Sequence, residues 1–220
     1  MSSQGKPCKE ESSKVLLVEG VNDCHVIMAL CGQHQVPHTF GIYECGGDKD
    51  RILRRLNALI QSATPPEAIG VVVDADTGIE RRWTSIKAKL SKNYPDYEFP
   101  DFPHQDGTIV PGTESLPTLG FWFMPNNQTE GMLEDFCLEM VESQAHQVAK
   151  DSVENAQAKG VATFIQAHFS KAIVHTYLAW QDEPGRPLGQ SITSQALRPN
   201  TETAISFTEW LKRLFPETQN

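Results

Sequence analysis

The patterned part of the chain opens with Lys14-Val15-Leu16-Leu17-Val18, a short and almost unbroken apolar run. Such a run predicts a strand covered on both faces, as in parallel sheets. Glu19-Gly20 ends it, and Val26, Ile27 and Leu30 then take helical spacing between Val21 and Cys31. Asp23 falls in the first turn of that helix, where the dipole favours an acid. Phe40 to Glu44 predicts a second strand, and Gly46-Gly47 a turn. Asp48 suits the cap of a helix whose apolar face is Ile52, Leu53, Leu56, Leu59 and Ile60. Pro65-Pro66 breaks that helix. Ala68 to Val73 predicts a third buried strand, running into Asp74-Ala75-Asp76, and a basic helix follows over 78–92. The order βαβαβα with short links predicts a parallel sheet with right-handed crossovers.

The second half is less regular. Residues 93–118 are rich in Pro, Asp and Gly and read as loop, with one short strand at Thr108-Ile109-Val110. Leu119 to Met124 predicts a fourth long strand, and Pro125-Asn126-Asn127 a loop. Helices are expected over Thr129 to Val141, over 160–180 with Phe164, Ile165, Phe169, Ile173 and Leu178, and over 205–215 after the loop Arg198-Pro199-Asn200. The fold class is therefore α/β, Rossmann-like, a central parallel sheet flanked by helices with a C-terminal helical extension. The expected division is a disordered N-terminus over 1–13, a core over 14–125, and a helical extension over 126–220 packed on the core as one compact unit.

Composition changes this picture little. The chain has 220 residues, 39% hydrophobic and 21% charged, ordinary for a globular protein with a real core. No apolar run is long enough to span a bilayer. Met1 to Ser13 lacks the apolar stretch of a signal peptide, so a cytoplasmic location is the default expectation. The five cysteines, Cys8, Cys24, Cys31, Cys45 and Cys137, are odd in number and scattered, which argues against a disulfide framework. Without a CxxC pair they also argue against structural zinc. All five read as structural or incidental, Cys24 and Cys31 as ordinary core positions on one helix.

The net charge of -9 counts against nucleic-acid binding by the surface as a whole. Yet Lys49, Arg51, Arg54, Arg55, Arg81, Arg82, Lys87, Lys89 and Lys92 hold nine of the 19 basic residues on two predicted helices. These are either two solvated helix faces or a basic rim. On the second reading Arg51, Arg54, Arg55, Arg81 and Arg82 are the candidate nucleic-acid contacts.

Candidate chemistry lies beyond the carboxyl ends of the strands, where open parallel sheets bind ligands. Glu19 follows the first strand, and Asp74 and Asp76 close the third. Residues two apart on a strand point the same way, so both aspartates are expected to face one point. Three converging carboxylates repel one another unless a divalent cation sits between them. Oxygen ligands without Cys or His fit Mg²⁺ or Mn²⁺. The plainer alternative is that each acid merely caps a helix.

Val15-Leu16-Leu17-Val18-Glu19-Gly20 with Asp23, followed by Val71-Val72-Val73-Asp74-Ala75-Asp76, resembles the Toprim signature: a glutamate-glycine after the first strand and an Asp-x-Asp after the third. The fold is shared by topoisomerases, bacterial primases, recombination-repair proteins, ribosomal-RNA maturation nucleases and OLD-family nucleases. The resemblance covers residues 14–125. Gly131-Met132-Leu133-Glu134-Asp135 resembles an element of OLD-type nucleases and of small stand-alone Toprim proteins often encoded beside an ABC-type ATPase. Lys171 to Trp180 with Pro184-Gly185-Arg186-Pro187 is similar to the C-terminal part of that small family. The resemblance implies metal ligation by Glu19, Asp23, Asp74, Asp76 and Glu134, with Lys171 stabilising a transition state and Glu19 acting as ligand or as general acid/base. In OLD-type enzymes two metals serve. No tyrosine stands in a topoisomerase context, and no primase-type zinc domain is present, which leaves hydrolysis of DNA or RNA. An ABC-type ATPase and a second copy of the chain are the partners this admits. Competing readings are a receiver-like signalling domain, a phosphatase using Asp74-Ala75-Asp76-Thr77-Gly78, and a non-catalytic regulatory subunit of an ATPase.

Overall fold

Five short chain segments, all but one of them strongly apolar, form the sheet: β1 (Lys14–Val18), β2 (Gly41–Glu44), β3 (Ala68–Asp74), β4 (Thr108–Val110) and β5 (Thr118–Met124). The structure is a computed structural model that describes residues 8–10, 12–47 and 49–217. The strand order is β2-β1-β3-β5-β4. All neighbours run parallel except β4, which lies antiparallel on β5 at the edge. Strand side chains alternate, so Val15, Leu17, Val71 and Val73 enter one apolar layer, while Leu16, Val18 and Val72 enter the other. Helices α2 (Lys49–Ile60) and α3 (Ile79–Asn93) cover the first face. Helix α1 (Val21–Gln33) covers the second together with the C-terminal helices α4 (Leu133–Leu138), α5 (Ser143–Ala158), α6 (Phe169–Leu178), α7 (Leu188–Thr193) and α8 (Glu202–Leu214). This is the Rossmann-like α/β architecture expected, with helices on both faces of a mostly parallel sheet. No helix among the described residues is long and apolar enough to cross a membrane.

The C-terminal half departs from expectation in four places, one of them the short helix α7, which no expected helix covers. The helix expected over Thr129 to Val141 is confined to α4. Its start is delayed because Gly131 exchanges both backbone hydrogen bonds with Asp76, at 2.9 and 3.0 Å. The helix expected over 160–180 begins only at α6. Gly160, at φ +68°, closes the preceding helix in the left-handed region, and its N–H donates back to Gln157. That preceding helix, α5, was not foreseen. It buries only Ala149 and Val153, too few apolar positions to mark a period. It is capped instead by Glu142, whose carboxylate accepts from the N–H groups of Gln144 and Ala145 at 3.2 and 3.3 Å. The expected cap Asp48 lies outside the described residues.

The expectation that the cysteines form no disulfide framework needs a correction. Cys8 and Cys24 form a disulfide that ties the N-terminal segment to α1, while Cys31, Cys45 and Cys137 are free. The pairing was invisible in the sequence because it depends on where Cys8 is carried, not on spacing. Lys9 pairs antiparallel with Tyr43, and Glu10 donates its N–H to Ile42. Residues 8–10 of the segment expected to be disordered therefore run along the outer edge of β2, and the disulfide anchors them there.

Candidate functional site

The chain leaves β1 for β2 on one side and returns to β3 on the other, so the carboxyl ends of β1 and β3 flank the switch point of the sheet, where this architecture opens a crevice. A cavity of about 670 Å³ lies there. Glu19 comes from the end of β1, Asp23 from the first turn of α1, Asp74 from the end of β3, Glu134 from the first turn of α4 and Lys171 from α6. Residues 152 positions apart at the extremes, Glu19 and Lys171, thus line one cavity.

Short bonds hold these groups in place. Glu19 Oε1 accepts from the Asp74 N–H at 3.1 Å, joining the two strand ends. Asp74 Oδ1 accepts from the Leu133 N–H at 3.0 Å, joining β3 to the start of α4. Asp23 Oδ2 accepts from the Gly20 N–H at 3.1 Å. Asp135 does the same in the first turn of α4, accepting from Met132 at 2.8 Å while also taking a hydrogen bond from Ser170. Two cations engage the acids from opposite sides. Arg82 Nη2 lies 2.7 Å from Glu19 Oε1, and its Nη1 lies 3.0 Å from Asp76 Oδ2. Lys171 Nζ lies 3.4 Å from Glu134 Oε1.

Crowding of buried acids shows in their proton affinities. Asp74 is pushed up to about 8, first by burial and then by the charges of Glu19, Asp23, Asp76 and Glu134. Asp23 is pushed up to about 7 by burial and by Glu19. The helix-start position and the Gly20 hydrogen bond pull Asp23 the other way, but desolvation of a buried carboxylate outweighs them. In neutral solution the site therefore holds protons that a bound cation could displace.

Of the residues expected at a site, Glu19, Asp23, Asp74, Glu134 and Lys171 come together. Asp76 does not line this cavity. The strand ends at Asp74, and Asp76 sits at φ +54°, so the strand alternation that would aim both aspartates at one point does not reach it. Its carboxylate turns to Arg82 instead. Arg82 in turn faces inward, its side chain 16% exposed. The other basic candidates are spread out. Arg51 is exposed beside Gly46 at the cavity rim, Arg54 is exposed on α2, and Arg55 lies 4.7 Å from the Tyr43 ring centroid. Arg81 is exposed, with its Nη2 on the Thr77 carbonyl at 3.4 Å.

Two lining residues were missed. His168 stands three positions before Lys171, a helix-neighbour spacing that marks a shared face. Glu44 ends β2 and reaches the same cavity, so three consecutive strands end in acids. The strand-end argument applied to Glu19 would have found it. The hydrogen bond and charge of Lys9, 2.8 Å away, lower the proton affinity of Glu44. Among the described residues, no three His, Cys, Asp or Glu side chains converge to metal-ligating distance, Glu19 and Glu134 being engaged by Arg82 and Lys171.

Residues 13–216 match the family described as Protein of unknown function (DUF3226). No curated protein and no solved structure matches the chain at a significant level.

Proposed function

This chain belongs to the DUF3226 family, and we propose that it is a divalent-metal-dependent phosphodiesterase acting on nucleic acid, with a Toprim-like sheet as its scaffold. One observation carries the reading: Glu19, Asp23, Asp74 and Glu134, drawn from four separate elements, line a single cavity at the switch point of the sheet. Folding that many carboxylates against one another is costly unless something compensates. Their donor set is all hard oxygen, which suits Mg²⁺ or Mn²⁺ and not zinc or copper. A bound divalent ion would supply charge for a phosphoryl oxygen and a more acidic water.

The chain's own residues do the rest. The Asp74 N–H and the Arg82 guanidinium orient Glu19. Gly20 and Leu133 orient Asp23 and Asp74 through their backbone N–H groups. Lys171, on the exposed wall, offers a positive charge to a phosphate arriving there, and Glu134 steers it. Exposed Arg51, Arg54 and Arg81 are the backbone contacts of this reading. Because the chain as a whole is acidic, a partner that delivers the substrate, such as an ABC-type ATPase, belongs to the proposal, as does a cytoplasmic location.

The test is incubation of purified protein with plasmid DNA and with structured RNA, with Mn²⁺, with Mg²⁺ and with chelator, alongside Asp74→Asn. Metal-dependent cleavage that this variant loses is the expected result. Phosphorylation of Asp74 by acetyl phosphate, without cleavage, would replace this reading by the receiver-like one.

A further inference from the structure

The disulfide found among the described residues stands beside a second cavity. That cavity, about 660 Å³, lies between the N-terminal segment, α1 and the chain entering β2. Its volume is in the range that takes small ligands. Met28, Val36, Phe40 and Ile42 give it apolar walls, and two cysteines line it: bonded Cys8 and free Cys31. Cys24, the other half of the bridge, is fully buried and does not line it. Cys31 is a bystander there, because burial pushes its thiol up to about 12 and a protonated thiol is no nucleophile.

The bridge is also linked to the acid cavity. The Cys8 carbonyl accepts from the Glu44 N–H at 2.8 Å, and the Glu10 N–H donates to Ile42 at 3.1 Å. Between them Lys9 sets its Nζ 2.8 Å from Glu44 Oε1 and 4.6 Å from the Tyr43 ring centroid. Glu44 ends β2 and lines the acid cavity. Apart from the bridge, residues 8–10 are held by a short edge ladder and by an ion pair whose lysine is 39% exposed, and such pairs hold weakly.

We propose that the Cys8–Cys24 bridge is a redox site, that a low-molecular-weight thiol docks in the apolar cavity to open it, and that Lys9 and Glu44 carry its state to the acid cavity. This device stands whether or not the acid cavity acts on nucleic acid. A thiolate RS⁻ attacks Cys8 Sγ from the cavity, the Cys8–Cys24 bond breaks, and Cys24 leaves and takes a proton. A second RS⁻ attacks the R sulfur of the mixed disulfide, releasing RSSR and Cys8, which takes the other proton. Two thiols are oxidised and one bridge is reduced, and RSSR runs the same steps backwards. In the cytoplasmic setting proposed above, bridges are of this made-and-broken kind. Once the bridge opens, Lys9 leaves the edge of β2 and Glu44 loses its pairing.

The test uses the full chain with the bridge formed, glutathione as the thiol, and a check of cooperative melting in both redox states. In glutathione without denaturant the chain should pass from three free thiols to five. Met28→Trp, which fills the cavity from an exposed helix position, should slow this by at least ~10-fold while leaving the rate in denaturant unchanged, since exchange depends on access. In the reduced chain the Glu44 and Glu10 amide protons should exchange at least ~10-fold faster, as local opening of an edge requires, with those of Leu16 and Val72 unmoved. The Glu44 carboxyl should titrate higher in the reduced chain, and alike in both states in Lys9→Gln. Met28→Trp reduced as fast as wild type overturns the proposal. So does a bridge that opens only in denaturant or only with a protein dithiol, or equal exchange at Glu44 in the two states. A reduced chain that no longer melts cooperatively overturns it too, since the bridge is then a structural staple.

Discussion

Leu133 donates its backbone N–H to Asp74 Oδ1 across 3.0 Å, although 59 residues separate them. The contact places the first turn of α4, with its partial positive charge, against the most strongly perturbed acid of the site. It also brings Glu134, the next residue, to the cavity. One backbone hydrogen bond thus joins the core of the sheet to the C-terminal helices at the point where chemistry is proposed.

The first prediction concerns protons released by metal. With Asp74 near 8 and Asp23 near 7, both carboxyls are largely protonated at pH 6, and an ion that ligates them must displace those protons. Calorimetry in buffers of different ionisation enthalpy should report between one and two protons released per Mn²⁺ at pH 6, falling toward none at pH 9. Apparent affinity should rise across the same interval. Proton release independent of pH would separate the metal from these two groups.

A second prediction follows for stability without metal. Both acids have folded-state values raised above the ordinary value of 3.8, so the folded chain holds protons that the unfolded chain has released. Stability is then highest near pH 4 and is lost as pH rises through about 7 to 8. The melting temperature in chelator should fall between pH 5 and pH 9. Asp74→Asn, which keeps an acceptor for Leu133, should be nearly neutral near pH 4 and increasingly stabilising up to pH 9, by about 1.4 kcal/mol for each unit by which Asp74 is raised. A variant that melts lower than wild type at pH 9 would make Asp74 a structural residue.

The disulfide gives a third. Thiol titration of unfolded protein prepared without reductant should find three free thiols, rising to five after reduction. Closing a loop between residues 16 apart stabilises by about 3 kcal/mol. Cys8→Ser should therefore lower the melting temperature of oxidised protein and leave that of reduced protein nearly unchanged. Such bridges persist in oxidising surroundings, so protein taken directly from a reducing cytoplasm should show five thiols. Equal melting of the two forms would show that the bridge does not constrain the chain.

The fourth concerns the basic residues. Charge reversal at Arg51, Arg54 and Arg81 should weaken nucleic-acid binding and flatten its salt dependence by about one unit per lost contact, with Mn²⁺ binding intact. Arg82 is left out of that set because its guanidinium is committed to Glu19 and Asp76. Unaltered binding and salt slope, with or without an ATPase partner, would reduce these residues to a solvated face.

Local pattern was enough for the sheet. Val15 to Val18 and Ala68 to Val73 are buried almost entirely, and strands covered on both faces announce themselves as unbroken apolar runs. The rule that ligands meet the carboxyl ends of parallel strands pointed to Glu19 and Asp74, and the strand order then set them side by side. Helix α5 was illegible because its buried face is two small or medium residues wide. The extended stretch before α6 was illegible because Gly160 acts through a left-handed turn that hydrophobic periodicity does not register.

What the sequence alone determined, then, is the alternation of strand and helix and the identity of the acids at strand ends, because both depend on neighbours a few positions apart. Tertiary structure decided which of those acids share a cavity. Asp74 and Asp76 are two residues apart, yet one faces Leu133 and the cavity and the other faces Arg82, because the bridge to Gly131 turns the backbone between them. The union of Cys8 with Cys24 and the inward course of Arg82 were settled in the same way. Each depends on a partner that only the closed fold brings within reach, and a long-range contact leaves no period in the chain.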